Sequence, residues 1–175
     1  MYNTTIQLKA LRILQNLISL RKINKLLLPL NTEFEIKDNP FQFFSTLDYY
    51  PIVYEETIAL LIELSINVRR ELEQLKKFKG YIKFKYPNVG KFCKERKDIS
   101  FEKILSKIIH SNNIELQTKD QDGNLFYGYE GKRENEFTGL AVINGTDRDN
   151  NPYSATVDIY KICVNCFMID AFKSC

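Results

Sequence analysis

The chain has 175 residues, of which 44% are hydrophobic and 27% are charged, and its formal net charge is +3. These values are typical of a folded globular protein, and they exclude a disordered chain and a chain built mainly of membrane spans. The length suits one domain with a hydrophobic core. The sequence therefore predicts a single domain over residues 1–175.

The first predicted helix covers residues 4–28 and ends before Pro29, which cannot continue a helix. Basic residues interrupt its apolar stretch at intervals: Lys9, Arg12, Arg21, Lys22 and Lys25. A membrane span needs about 20 nearly uncharged residues, and a signal peptide needs an unbroken apolar core. We therefore expect a cytoplasmic protein that has no membrane contact and whose cysteines are reduced.

Residues 29–53 contain three prolines and predict an irregular connection with one short helix over residues 41–47. Residues 54–79 predict the clearest long helix, because acidic residues stand at its start and lysines at its end, as the helix dipole favours. A third helix is predicted over residues 100–110. Its apolar side chains recur at the spacing of one helix face: Phe101, Ile104, Leu105, Ile108 and Ile109.

The pattern changes to short strands after residue 112. Runs at residues 114–118, 125–129, 137–143 and 153–157 predict a small antiparallel sheet over residues 113–157, separated by turn-forming clusters. The tail at residues 158–173 is apolar all round and predicts a buried helix. The predicted fold class is therefore mostly α (α+β), with residues 1–112 mainly helical, a small sheet and a C-terminal helix.

Two motifs suggest metal sites, and both have a simpler interpretation. Cys163 and Cys166 have the spacing of half a zinc site, but the other half is missing, so core packing is favoured. Asp147 and Asp149 begin a calcium-like loop in which Pro152 stands where glycine is needed, so a plain turn is favoured. We expect no metal and no cofactor.

An ordered series of motifs in the second half carries a family resemblance. The helix that ends in Ile108-Ile109-His110 leads into a strand, and later comes Tyr153-Ser-Ala-Thr-Val-Asp-Ile-Tyr-Lys161. This order is similar to a group of uncharacterised bacterial proteins with an Ile-Ile-His helix, a small sheet and a closing aromatic-x-Ala-Thr-Leu-Asp segment. The group resembles the wider HEPN class of helical proteins, and the resemblance covers residues 100–172.

The resemblance implies a HEPN-like helical bundle, often a homodimer, in a bacterial defence or toxin context. Active HEPN proteins are metal-independent endoribonucleases with the motif Arg, four to six residues, His. Before His110, the corresponding positions hold Leu105, Ile104 and Lys103, so only Lys103 is basic. Lysine is not equivalent to arginine where a planar donor binds phosphate.

His110 is the only histidine in the chain, and it closes a stripe that also carries Lys103, Ser106 and Lys107. Imidazole exchanges protons near neutral pH, so His110 could remove the proton of a ribose 2′-hydroxyl while Lys103 and Lys107 stabilise the phosphorane. The simpler interpretation is that His110 is the last polar residue of the helix and binds a backbone carbonyl.

Residues 74–97 form a basic segment that contains nine of the 25 basic residues and one of the 22 acidic residues, so the rest of the chain is acidic. Aromatic residues alternate with the cations, which is typical of single-stranded nucleic acid binding, although solvated lysines beside inward-pointing aromatics give the same pattern. The predicted nucleic-acid-binding residues are Lys76, Lys77, Lys79, Lys83, Lys85, Lys91, Lys94, Arg96, Lys97, Tyr81 and Phe84.

The favoured hypothesis is a non-catalytic binding or regulatory protein whose basic segment binds RNA or another polyanion. An acidic protein partner would use the same segment. The first alternative is a metal-independent ribonuclease that uses His110 and Lys103. The second is a structural or oligomer-forming protein.

Overall fold

The computed structural model describes residues 4–30, 46–77, 86–124, 130–147 and 149–169. Within these ranges the chain forms four α-helices and five β-strands. In chain order they are α1 (Thr4–Leu30), α2 (Thr46–Leu75), β1 (Asn88–Phe92), β2 (Asp98–Ser100), α3 (Phe101–Ile109), β3 (Ser111–Asn124), β4 (Glu130–Thr146), β5 (Pro152–Asp158) and α4 (Ile159–Met168).

The five strands form one antiparallel sheet in the order β2-β1-β5-β4-β3. Side chains alternate between the two faces of a strand, and the buried ones all belong to a single face. The buried residues of that face are Val89, Ile99, Ile114, Leu116, Phe137, Ala141, Ile143, Ala155 and Val157. The helices lie over this face, because α1 packs against α2, α4 and β4, while α3 packs against α2 and against four strands.

Helix α3 is central to the core. Four of its nine residues are buried, and they recur at the spacing of one helix face: Phe101, Ile104, Leu105 and Ile108. Buried residues of all four helices and of the sheet join these side chains in one continuous cluster. The rotation of α3 about its axis is therefore determined by the burial of its apolar face.

The α+β class is confirmed, with two strands that the sequence did not predict. Two strands, β1 and β2, lie inside residues 1–112, which the sequence predicted to be mainly helical. A helical bundle of the HEPN kind is not confirmed, because a five-stranded sheet supplies one side of the core. The strands β1 and β2 were not recognised because they are only five and three residues long.

Helix α1 continues through Pro29 to Leu30, so the predicted end of the first helix before Pro29 was wrong. Helix α2 begins eight residues earlier and ends four residues earlier than residues 54–79. It includes Pro51 as its sixth residue, where proline has no N–H to donate to the carbonyl of residue 47. Residues 41–45 of the predicted short helix lie outside the described residues, and residues 46–47 belong to α2. The predicted strand at residues 125–129 also lies outside the described residues.

The predicted C-terminal helix is confirmed over Ile159–Met168. Cys163 and Cys166 are buried in it, as the packing interpretation predicts. Burial raises the pKa of Cys163 to about 12 and that of Cys166 well above its usual value. Both thiols therefore stay protonated at neutral pH. Among the described residues, no helix combines the length and the apolar character needed to cross a bilayer.

Asp158 begins α4 and gives a test of this part of the fold. Its Oδ1 accepts a hydrogen bond of 3.0 Å from the backbone N–H of Lys161. We predict that Asp158→Ala lowers the free energy of unfolding by about 1 kcal/mol, because that N–H loses its cap. Asp158→Asn keeps a side-chain acceptor and should lose much less. Chemical denaturation of the two variants measures the difference, and equal losses would contradict the capping role.

Candidate functional site

Three connections meet at one end of the sheet. The turn between β1 and β2 follows Phe92, which lies opposite Ala155 of β5. The junction of α3 with β3 lies beside the end of β4, because Ser111 is paired with Gly145. Gly145 is in turn opposite Tyr153, where β5 begins after the turn from β4. Residues that are distant in sequence are therefore brought together at this end.

Two lysines of α3 point towards this end because the opposite face of the helix is buried. Lys103 and Lys107 are one helical turn apart, so they project from the same side. Their ammonium groups lie 5.3 Å and 6.0 Å from the centre of the Phe92 ring, and that of Lys107 also lies 3.9 Å from the centre of the Tyr153 ring. Cation–π attraction favours both positions.

A cleft of about 890 Å³ opens beside these lysines. We call it the α3 cleft. The α3 side and its junction with β3 provide Lys103, Lys107, His110 and Ser111. The turn between β4 and β5 provides two acidic residues of the lining, and Tyr153 of β5 also lines the cleft. Those acidic residues are Asp147 and Asp149.

The protonation of two groups in the α3 cleft follows from their surroundings. A hydrogen bond from the backbone N–H of Asn151 lowers the pKa of Asp147, with further contributions from the Asp149 N–H and the Lys107 ammonium. Burial raises the pKa of Tyr153, whose hydroxyl donates a 2.7 Å hydrogen bond to the carbonyl of Lys107. At neutral pH, Asp147 is therefore a carboxylate and Tyr153 a neutral phenol.

His110 caps the C-terminus of α3, and its side chain is exposed at the α3 cleft. Its backbone N–H donates a 3.2 Å hydrogen bond to the carbonyl of Ser106. The structure thus places His110, Lys103 and Lys107 around one cleft, which the stripe on the predicted helix had suggested. Arg69 lies elsewhere: its guanidinium is 3.4 Å from the Ser106 hydroxyl, in a smaller groove between α2 and α3.

The described residues of the predicted basic segment do not form one continuous surface. Lys76 is paired with Glu102 in the groove between α2 and α3, and Lys91 lies on the uncovered face of the sheet, 3.9 Å from Asp98. Lys77 is exposed after α2. These lysines are close in the chain, so the sequence predicted one surface. In the structure they belong to different elements.

Another part of the basic segment lies next to Phe92. Lys94, Arg96 and Lys97 are exposed in or just after the turn between β1 and β2, next to Phe92. The backbone N–H of Phe92 donates to the carbonyl of Lys97 at 2.9 Å, which closes this turn. The other predicted binding residues lie outside the described residues: Lys79, Tyr81, Lys83, Phe84 and Lys85.

Sequence reasoning did not identify Tyr153, Asp147 and Asp149 as residues of the same site. Tyr153 was placed on a strand, and the two aspartates were placed in a turn. Only the register of β4 with β5, and of β3 with β4, brings that turn beside His110. No local pattern in the sequence encodes this register, apart from the alternation that identifies the strands.

Cys93 is exposed on the uncovered face of the sheet, where its Sγ lies 3.5 Å from the hydroxyls of Ser154 and Thr156. These hydrogen bonds, with Ser154 the stronger, lower the pKa of the Cys93 thiol. Cys93 does not line the α3 cleft. Within the described part of the chain, no three His, Cys, Asp or Glu side chains are arranged to hold a metal ion.

Comparison with family models, with curated proteins and with solved structures found no match to this chain. The HEPN resemblance therefore stays a prediction. The geometry of the α3 cleft is the basis for a functional proposal.

Gly145 allows the parts of the site to approach closely. A Cβ at this position would lie 2.6 Å from the Tyr153 hydroxyl oxygen and 2.9 Å from the His110 carbonyl oxygen. We predict that Gly145→Ala lowers the free energy of unfolding by about 1–3 kcal/mol, because the Tyr153 ring or the His110 backbone must move. Thermal unfolding measures the change. Asn144→Ala, on the uncovered face of the same strand, is the control, and an equal effect of both changes would contradict the steric explanation.

Proposed function

We propose that the protein binds a polyanion at the α3 cleft, and that RNA is the favoured ligand. One observation carries the proposal: Lys103 and Lys107, which both line the cleft, also place their ammonium groups over the same ring, that of Phe92. Two positive charges that share one ring repel each other. A phosphate between them would replace that repulsion with attraction.

The state of the two lysines supports this proposal. Among the described residues, neither Lys103 nor Lys107 forms an ion pair, whereas the nearby Lys76 and Arg69 are paired with Glu102 and Glu73. The aromatic rings limit the conformations of the two lysine side chains without neutralising their charge. A binding site gains affinity when its charged groups are held in place before the ligand arrives.

The turn between β1 and β2 extends the positive surface. Lys94, Arg96 and Lys97 are exposed beside Phe92, so a strand of nucleic acid that binds Lys103 and Lys107 would pass close to them. Contacts between lysine or arginine and phosphate release counterions, and for single strands each contact changes the logarithmic salt dependence by about 0.7. The proposed function therefore predicts affinity that falls steeply with salt.

Charge reversal tests the proposal. We predict that Lys103→Glu and Lys107→Glu, each alone, weaken the binding of single-stranded RNA about tenfold and reduce the salt slope by about 0.7, because each removes one phosphate contact. Fluorescence anisotropy with a labelled uridine oligonucleotide, measured between low and physiological salt, gives both quantities.

Lys161→Glu is the matched control. Lys161 is exposed on α4, which follows β5. Tyr153 lies near the start of β5 and α4 begins at its other end, roughly 17 Å away along the strand. This variant changes the net charge by the same amount. It also removes the 3.4 Å ion pair of Lys161 with Asp158, so thermal unfolding must first show that the variant is folded. If it weakened binding as much as the α3 variants, only the total charge would matter, and the proposal would be rejected.

A second candidate function is metal-independent RNA cleavage, which the position of His110 favours. His110 lines the same cleft as Lys103 and Lys107, so a bound phosphodiester would have one group that exchanges protons and two cations nearby. Tyr153 is a poor alternative as the base, because its hydroxyl is bound to the Lys107 carbonyl and its pKa is raised.

His110→Ala separates the two candidate functions. For a ribonuclease, the variant should lose at least about a hundredfold in cleavage rate in the presence of EDTA while keeping its RNA affinity, since general base catalysis contributes at least that factor. Gel electrophoresis of a labelled RNA gives the rate. If the unchanged protein does not cleave RNA in EDTA, or if the variant cleaves equally well, the ribonuclease hypothesis is excluded and binding alone remains.

A further inference from the structure

The α3 cleft has walls of opposite charge. Lys103 and Lys107 stand on the α3 side, whereas Asp147 and Asp149 belong to the turn between β4 and β5. A nucleic acid strand that continued across the cleft would bring its phosphates against these carboxylates. Like charges at close range are unfavourable, so phosphates are expected only on the α3 side. The acidic wall needs a different part of the ligand, one that donates hydrogen bonds.

The size of the cleft indicates how much of a ligand it holds. Its volume of about 890 Å³ is within the range of sites that enclose one small molecule. The groove between α2 and α3 is much smaller, at about 320 Å³. A single nucleotide has a phosphate at one end and a base at the other, which matches the two walls.

The two aspartates are not equally able to bind a base. Oδ1 of Asp147 accepts hydrogen bonds from the backbone N–H groups of Asp149 and Asn151, at 3.0 Å and 2.9 Å, so this carboxylate shapes the turn. The carboxylate of Asp149 is exposed, and no group among the described residues donates a hydrogen bond to it. Asp149 is therefore the side chain that can accept hydrogen bonds from a ligand.

The chemistry of a carboxylate selects among the bases. Its two oxygens accept two parallel hydrogen bonds, and guanine alone among the four RNA bases presents two adjacent donors on its Watson–Crick edge, N1–H and the N2 amino group. Adenine and cytosine place a ring acceptor next to their amino group. Uracil places carbonyl oxygens on both sides of its single N–H.

We infer that the α3 cleft binds one guanine nucleotide of a single-stranded RNA, with its phosphate on Lys103 and Lys107 and its base edge on Asp149. This inference rests on the proposed RNA-binding function and adds base selectivity to it. RNA loops and ends expose the Watson–Crick edge of unpaired bases, so recognition of this kind requires single-stranded RNA.

Three hexanucleotides test the inference: hexauridylate, and the same hexamer with one uridine replaced by guanosine or by inosine. Inosine keeps N1–H and lacks the amino group. With the unchanged protein, the guanosine hexamer should bind about tenfold more tightly than hexauridylate, because a contact with two hydrogen bonds gives discrimination of this size. The affinity of the inosine hexamer should be intermediate. Isothermal titration calorimetry at one fixed salt concentration measures the three affinities.

Asp149→Asn should reduce the guanosine preference to less than about threefold, because the amide has one acceptor oxygen in place of two. Asp98→Asn, an equivalent change outside the cleft, should leave the preference unchanged. The ratio of affinities is the quantity compared, since removing a negative charge strengthens the binding of every hexamer.

The outcomes separate the two proposals. If the three hexamers bind equally and Lys103→Glu weakens all of them, RNA binding stands and the guanine inference is wrong. If the guanosine preference persists in Asp149→Asn, the base is recognised elsewhere and the inference is also wrong. If no hexamer binds, both proposals fail.

Discussion

The burial of one face of α3 determines the position of every charged side chain on that helix. Phe101, Ile104, Leu105 and Ile108 are all buried against the sheet and α2, so the helix cannot rotate without exposing them. Fully burying one such side chain contributes roughly 1.5–3 kcal/mol, which is more than the repulsion between two solvent-exposed lysines. The apolar core therefore holds Lys103 and Lys107 on the same side.

The aromatic side chains around these lysines depend on the same packing. Phe92 and Tyr153 are only partly buried and lie against the core, so each has a ring face available for an ammonium group. The hydroxyl of Tyr153 is bound to the carbonyl of Lys107, which ties β5 to α3. Gly145 leaves room for this contact, because any side chain there would collide with the Tyr153 hydroxyl. The site is a consequence of how strands and helix fit together.

The sequence predicted the elements whose periodicity is strong. The apolar spacing of α3, the alternation at residues 114–118, 137–143 and 153–157 and the apolar tail were sufficient to predict α3, parts of β3, β4 and β5, and α4. The strands β1 and β2 were not predicted, because they are short. A strand of three to five residues gives too little alternation to recognise.

The candidate site was predicted only in part, for a physical reason. His110, Lys103 and Lys107 share one helix face, so their proximity follows from the helical repeat. Tyr153 and Asp149 reach the same cleft through strand register. Lys91 lies on the uncovered face of the sheet, because successive side chains of β1 alternate between the two faces. Register depends on pairing between distant segments, which local sequence patterns do not encode.

Nuclear magnetic resonance of the lysine side chains tests the central claim most directly, namely that Lys103 and Lys107 converge on the Phe92 ring and bind phosphate there. The terminal methylene protons of both lysines should resonate upfield of their usual position, because they lie in the ring current of Phe92, and they should shift again when RNA is added. Values at the usual position that stay unchanged with RNA would contradict the account.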